Sequence, residues 1–103
     1  MAAVLSVTTA RPRDGKFQAT LALYGRLKKE VERLGGKVRI TQQLYGAAPG
    51  TVSFIVEVGS WAEFGALTEK GEKDAGYQAI LAEARANPLT DIVQRFVSTE
   101  IEA

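Results

Sequence analysis

Lys37-Val38-Arg39-Ile40-Thr41-Gln42-Gln43-Leu44-Tyr45, then Gly46-Ala47-Ala48-Pro49-Gly50, then Thr51-Val52-Ser53-Phe54-Ile55-Val56-Glu57-Val58 is the stretch whose reading decides the fold. Both flanks alternate apolar with polar residues, and glycine and proline gather in the five residues between them, so the pattern predicts a β-hairpin. If Tyr45 faces Thr51, Leu44 pairs with Val52, Gln42 with Phe54, Ile40 with Val56 and Val38 with Val58. One face is then apolar apart from Gln42 and is expected to meet helices. The other carries Arg39, Thr41, Gln43 and Tyr45 on one strand and Ser53 and Glu57 on the next, with Arg39 opposite Glu57. That pair argues for the register more than for stability, because an exposed ion pair contributes only ~0–1 kcal/mol. The polar face is the expected place for function.

Working outward, Phe17, Thr20, Tyr24, Leu27, Val31 and Leu34 recur at spacings of three and four, which predicts an amphipathic helix over 16–34. Asp14 is its expected cap and Gly35-Gly36 its stop. Gly25 inside it costs ~1 kcal/mol relative to alanine, which suggests a close approach by another element. Before the helix, residues 3–9 alternate Leu5 and Val7 with Ser6 and Thr8 and read as a first strand, ended by Arg11-Pro12-Arg13-Asp14-Gly15. After the hairpin, Ser60-Trp61-Ala62-Glu63 has capping-box spacing and starts a helix whose expected buried face is Trp61, Phe64 and Leu67. Gly71 interrupts it and Asp74 caps a second piece carrying Tyr77, Ile80, Leu81 and Ala84, closed by Asn87-Pro88. The last strand, about 89–102, has apolar residues on both sides and is long enough to overhang its own sheet.

The 103 residues match one domain, 1–103, with a core of ordinary size. Thirteen basic and twelve acidic side chains leave a formal charge of +1, which gives no electrostatic reason to expect nucleic acid or an anionic membrane as partner. Cysteine and histidine are both absent. Their loss removes Ser-His-Asp and Cys-His catalysis, sulfur and imidazole metal sites and His-ligated haem, so neither metal nor cofactor is expected. The start is too short in apolar residues for a signal peptide and no later run approaches a membrane span, so the expectation is a soluble cytoplasmic protein.

The elements add up to an α+β, ferredoxin-like βαββαβ layer: a four-stranded antiparallel sheet with helices on one face. Its second face would be bare, with Val4, Ile55 and one side of the last strand wet, and such a patch marks an interface. Two such sheets packed face to face form a closed dimeric α/β barrel. Three segments carry a resemblance: Arg11-Pro12-Arg13-Asp14-Gly15-Lys16-Phe17 before the long helix, Phe54 to Val58 running into Ser60-Trp61-Ala62-Glu63, and Asp74-Ala75-Gly76-Tyr77-Gln78. They resemble the dimeric α/β-barrel superfamily, its NIPSNAP-like domains most and the antibiotic-biosynthesis monooxygenases more loosely. The resemblance implies a homodimer with one cavity per subunit, between helices and sheet or inside the barrel. It also implies that Trp61 stands where a tryptophan lines the monooxygenase cavity. The haem-degrading relatives need a histidine that Glu69-Lys70-Gly71-Glu72-Lys73 does not supply.

Arg39, Thr41, Gln43, Tyr45, Ser53, Glu57 and Trp61 are therefore the candidate ligand-binding residues, with Glu57 and Tyr45 as candidate catalytic groups. Each has a plainer reading: Trp61 as a core anchor, Gln42 as a buried amide, Tyr24 and Tyr77 as core packing, Arg39 and Glu57 as a surface or interface ion pair. Two functional classes remain in front, a homodimer that binds a small molecule and a cofactor-free oxygenase or isomerase acting on a cyclic or aromatic metabolite. An RNA-recognition module shares the element order, but residues 51–58 lack its stacking aromatics and any basic stripe. Arg11-Pro12-Arg13 is likewise a poor match to an acylphosphatase phosphate loop.

Overall fold

A computed structural model describes residues 2–103; Met1, the first residue of the expected domain, lies outside the described residues. The elements run β1 (Val4–Pro12), α1 (Phe17–Leu34), β2 (Lys37–Gln42), β3 (Val52–Val58), α2 (Trp61–Lys73), α3 (Ala75–Ala86) and β4 (Thr90–Thr99). The strands form one sheet in the order β2-β3-β1-β4, antiparallel at every pairing. This is the expected βαββαβ layer with its second helix in two pieces. Its extents of 41 × 36 × 16 Å describe a slab two layers thick, helices on one side of the sheet only. No helix among the described residues is long and apolar enough to cross a membrane.

The hairpin register differs from expectation by two residues. Val38 pairs with Val56, Ile40 with Phe54 and Gln42 with Val52. The connection is longer than a five-residue turn because residues 43–51 close on themselves: Gln43 N donates to Thr51 O (2.9 Å), Gly50 N to Gln43 O (2.8 Å) and Ala48 N to Gln43 Oε1 (2.6 Å). A slip of two keeps every side chain on its face, so the apolar and polar faces are those expected. Gln42, expected as a buried amide, is exposed near the strand end. Arg39 still reaches Glu57 at 2.9 Å, along the diagonal, while Lys37 stands directly opposite Glu57. Both registers permit that ion pair, so it could not decide between them.

The N-cap position of α1 is Lys16, not Asp14 as expected; no side chain among the described residues caps the helix, and Asp14-Gly15 forms the preceding turn, with Gly15 at φ 73°. It ends as predicted, Gly35 at φ 116° sending its amide to Glu32 O and Gly36 N reaching Val31 O. Ser60 Oγ accepts from Glu63 N (3.2 Å) at the start of α2. That helix continues through Gly71, and the break falls three residues later at Asp74, whose carboxylate accepts from Tyr77 N (2.8 Å) and caps α3. Gly71 packs instead against the Tyr77 ring and accepts from Gln78 Nε2 at 2.8 Å. Leu23, Tyr24 and Leu27 of α1, Val52 of β3 and Ile80 of α3 form the centre of the core.

Candidate functional site

The pairings place residues in rows across the sheet. On the open face they read Phe96, Val7, Ile55, Arg39 in one row, Gln94, Thr9, Ser53, Thr41 in the next, and Ser98, Leu5, Glu57, Lys37 in the third. On the helix face one row reads Arg95, Thr8, Phe54, Ile40 and its neighbour Val97, Ser6, Val56, Val38. The central strand β1 is thus inverted relative to a simple amphipathic sheet. Its polar Ser6 and Thr8 look toward the helices, and its apolar Leu5 and Val7 look outward. Val4, expected to be wet, is fully buried on the helix side.

The helices do not fill the space over Ser6 and Thr8. An open-sided cavity of about 790 Å³ lies there between α1, α3 and the β1–β4 side of the sheet. Leu23, Leu27, Phe54 and Leu81 supply apolar walls, and Tyr24, Tyr77, Thr90, Arg85 and Arg95 join the two hydroxyls as its polar side chains. The bulge in β4 contributes directly: Thr9 pairs with Gln94 but Ala10 with Ile92, leaving Val93 as the extra residue. In a regular strand residues three apart face opposite ways, whereas the bulge turns both Ile92 and Arg95 into the cavity. Burial pushes the Tyr24 phenol above its ordinary pKa, and the charge of Arg95 pulls it partly back. The phenol is therefore protonated at neutral pH and available as a donor. A smaller space of about 320 Å³ adjoins under α2, sharing Ser6, Tyr77 and Leu81 with the first and lined further by Val31, Val56 and Phe64.

The residues singled out from sequence lie elsewhere. Arg39, Thr41, Ser53 and Glu57 come together on the open face, where the Ser53 and Thr9 hydroxyls share a 2.8 Å hydrogen bond. Gln43 and Tyr45 belong to the 43–51 loop; Gln43 holds that loop through Ala48, and Tyr45 is 90% exposed. Trp61 is 57% exposed at the start of α2, edge-on to Phe64 with centroids 5.9 Å apart, and so is not a core anchor. None of these seven lines the 790 Å³ cavity. Tyr24, read from sequence as core packing, is both core and cavity wall. Ser6, Thr8, Arg85 and Arg95 were not singled out. The available signal was the alternation of β1 itself, since a strand in the middle of a sheet cannot send polar residues to either face without something to meet them.

No protein-family model and no curated protein matches the sequence. Solved structures do match in fold. An uncharacterised NIPSNAP domain protein from Burkholderia xenovorans superposes with a TM-score of 0.72 at 17% identity, covering 97% of this chain and 94% of that one. The fold is that of the NIPSNAP and antibiotic biosynthesis monooxygenase-like proteins. A NIPSNAP family protein of unknown function from Agrobacterium tumefaciens gives 0.70 at 14% identity, over 95% of this chain and 87% of that one. A candidate antibiotic biosynthesis monooxygenase from Chloroflexus aurantiacus gives 0.68 at 14% identity, over 98% and 95%. The likeness read from the sequence segments is met at the level of architecture.

Proposed function

We propose that this chain binds a small molecule in the cavity between α1, α3 and the sheet, and that it works as a pair of copies joined through the open sheet face. The inversion of β1 carries the reading. It supports both halves at once, because it lines the helix-side space with Ser6 and Thr8 beside Arg95 and sets Leu5 and Val7 outward with Ile55 and Phe96. A cavity of about 790 Å³ suits a metabolite of moderate size, with apolar walls for affinity and a few polar groups for orientation. Native mass spectrometry under gentle desolvation tests the reading: a species near twice 11.1 kDa carrying a reproducible small-molecule adduct is expected. A bare monomer under the same conditions contradicts it.

A second reading, a cofactor-free oxygenase or isomerase, draws support from the name of the Chloroflexus aurantiacus neighbour and from the half-enclosed, part-polar cavity. On that reading a cyclic or aromatic substrate supplies its own reactive electrons and the protein contributes hydrogen bonds and exclusion of water. The open-face group of Arg39, Thr41, Ser53 and Glu57, with Gln43, Tyr45 and Trp61, is the competing site, since pairing two sheets encloses that face. Turnover unchanged in Glu57→Gln but lost in Arg95→Gln assigns the chemistry to the helix-side cavity; the reverse assigns it to the open face.

A further inference from the structure

We infer that the cavity takes an organic anion, its negative group held by Arg95 with Arg85 at the rim and its apolar body against Leu23, Leu27 and Phe54. This rests on the proposed binding function and narrows its ligand. The chain has seven arginines. Five are engaged within the fold: Arg11 with Pro49 O, Arg13 with Asp91, Arg26 with both carboxylate oxygens of Glu83, Arg33 with Glu30 and Asp74, and Arg39 with Glu57. Of the seven arginines, Arg85 and Arg95 alone have no hydrogen-bonded or ion-paired side-chain partner among the described residues, and both line this cavity.

Among the described residues, no aspartate or glutamate lines it with them. Two uncompensated positive charges beside low-dielectric walls focus a positive potential in the space, which attracts an anion and repels a cation. Three of the hydroxyls beside them agree in sense. Tyr24 holds its proton as a donor, and the Ser6 and Thr8 hydroxyls can each donate. A guanidinium fork matches the paired oxygens of a carboxylate or sulfonate, so Arg95 can fix orientation as well as charge.

Two dyes that differ only by a sulfonate test this on the full chain: 1-anilinonaphthalene-8-sulfonate and its uncharged parent, N-phenyl-1-naphthylamine, titrated by fluorescence. The sulfonate is expected to bind about tenfold tighter, as one charge-assisted contact provides, with that preference collapsing in Arg95→Gln and partly retained in Arg95→Lys. Equal affinity for the two dyes, or a preference that survives both Arg95→Gln and Arg85→Gln, overturns the anion reading while leaving cavity binding intact. Failure of both dyes to bind, or undiminished binding of both to Leu81→Trp, whose larger ring intrudes on the space, overturns the binding function as well.

Discussion

The ring of Tyr24 stands edge-on to that of Phe54, centroids 5.4 Å apart and planes at 73°, tying the middle of α1 to the middle of β3. Both rings also face the cavity, so one contact closes the core and shapes the site. An edge-to-face pair contributes about 0.5–1.5 kcal/mol beyond the area it buries. Phe54→Leu is therefore expected to lower the melting temperature by roughly 4–8 °C, read by circular dichroism, whereas Tyr24→Phe, which keeps the pair, leaves it nearly unchanged. Equal effects of the two substitutions contradict this role.

Gly25 sits inside α1, and a methyl group added there meets nothing within 4 Å, contrary to the close approach expected from sequence. The helix therefore carries the flexibility of glycine without a packing reason inside one copy. Gly25→Ala is expected to stabilise by about 1 kcal/mol in urea denaturation. A loss of stability instead reveals an element from outside this copy packed against that position.

Asp74 joins three elements: its Oδ2 accepts from Arg33 Nη2 at 2.6 Å and from Tyr77 N at 2.8 Å, linking the end of α1 to the α2–α3 break. The Arg33 guanidinium, with help from the Tyr77 amide, holds its carboxyl below the ordinary value. The folded chain then binds this proton less readily than the unfolded one, so the stabilisation is complete above the ordinary carboxylate pKa and is lost as pH falls through the depressed one. Asp74→Asn is expected to weaken the fold at pH 7 and to match the unsubstituted protein once pH is below that range, as urea midpoints at several pH values report. A pH-independent difference contradicts the ion-pair account.

Val7 lies mid-row on the open face between Phe96 and Ile55. Val7→Lys places a charge in the centre of the proposed contact between copies while facing solvent in a single copy. Sedimentation equilibrium is expected to show a dimer before the substitution and a folded monomer after it. A dimer that persists unchanged moves the contact elsewhere.

The layer order was legible in the sequence because its signals are local: the three-and-four spacing of α1, Gly35 as its stop, Ser60 and Asp74 as caps. What was not legible depended on partners across the sheet. Gln43 has the chemistry to extend a strand or to close a loop, and the Ala48 amide that it accepts decides the matter. Trp61 has the bulk of a core residue, but α2 starts at the margin of the layer and leaves it exposed. The cavity was hidden for a related reason. Arg95 sits among apolar residues of β4, and only the bulge at Val93 and its pairing with Thr8 turn it inward. The polar face of the hairpin was visible first and drew the candidate residues to the open side.

Methyl-resolved NMR during titration with 1-anilinonaphthalene-8-sulfonate separates the two faces most directly, because Leu23, Leu27 and Leu81 line the cavity whereas Leu5, Val7 and Ile55 point outward. The account predicts saturable shifts in the first three methyl sets, with the outward three still. Shifts confined to Leu5, Val7 and Ile55 would place the site on the open face and contradict it.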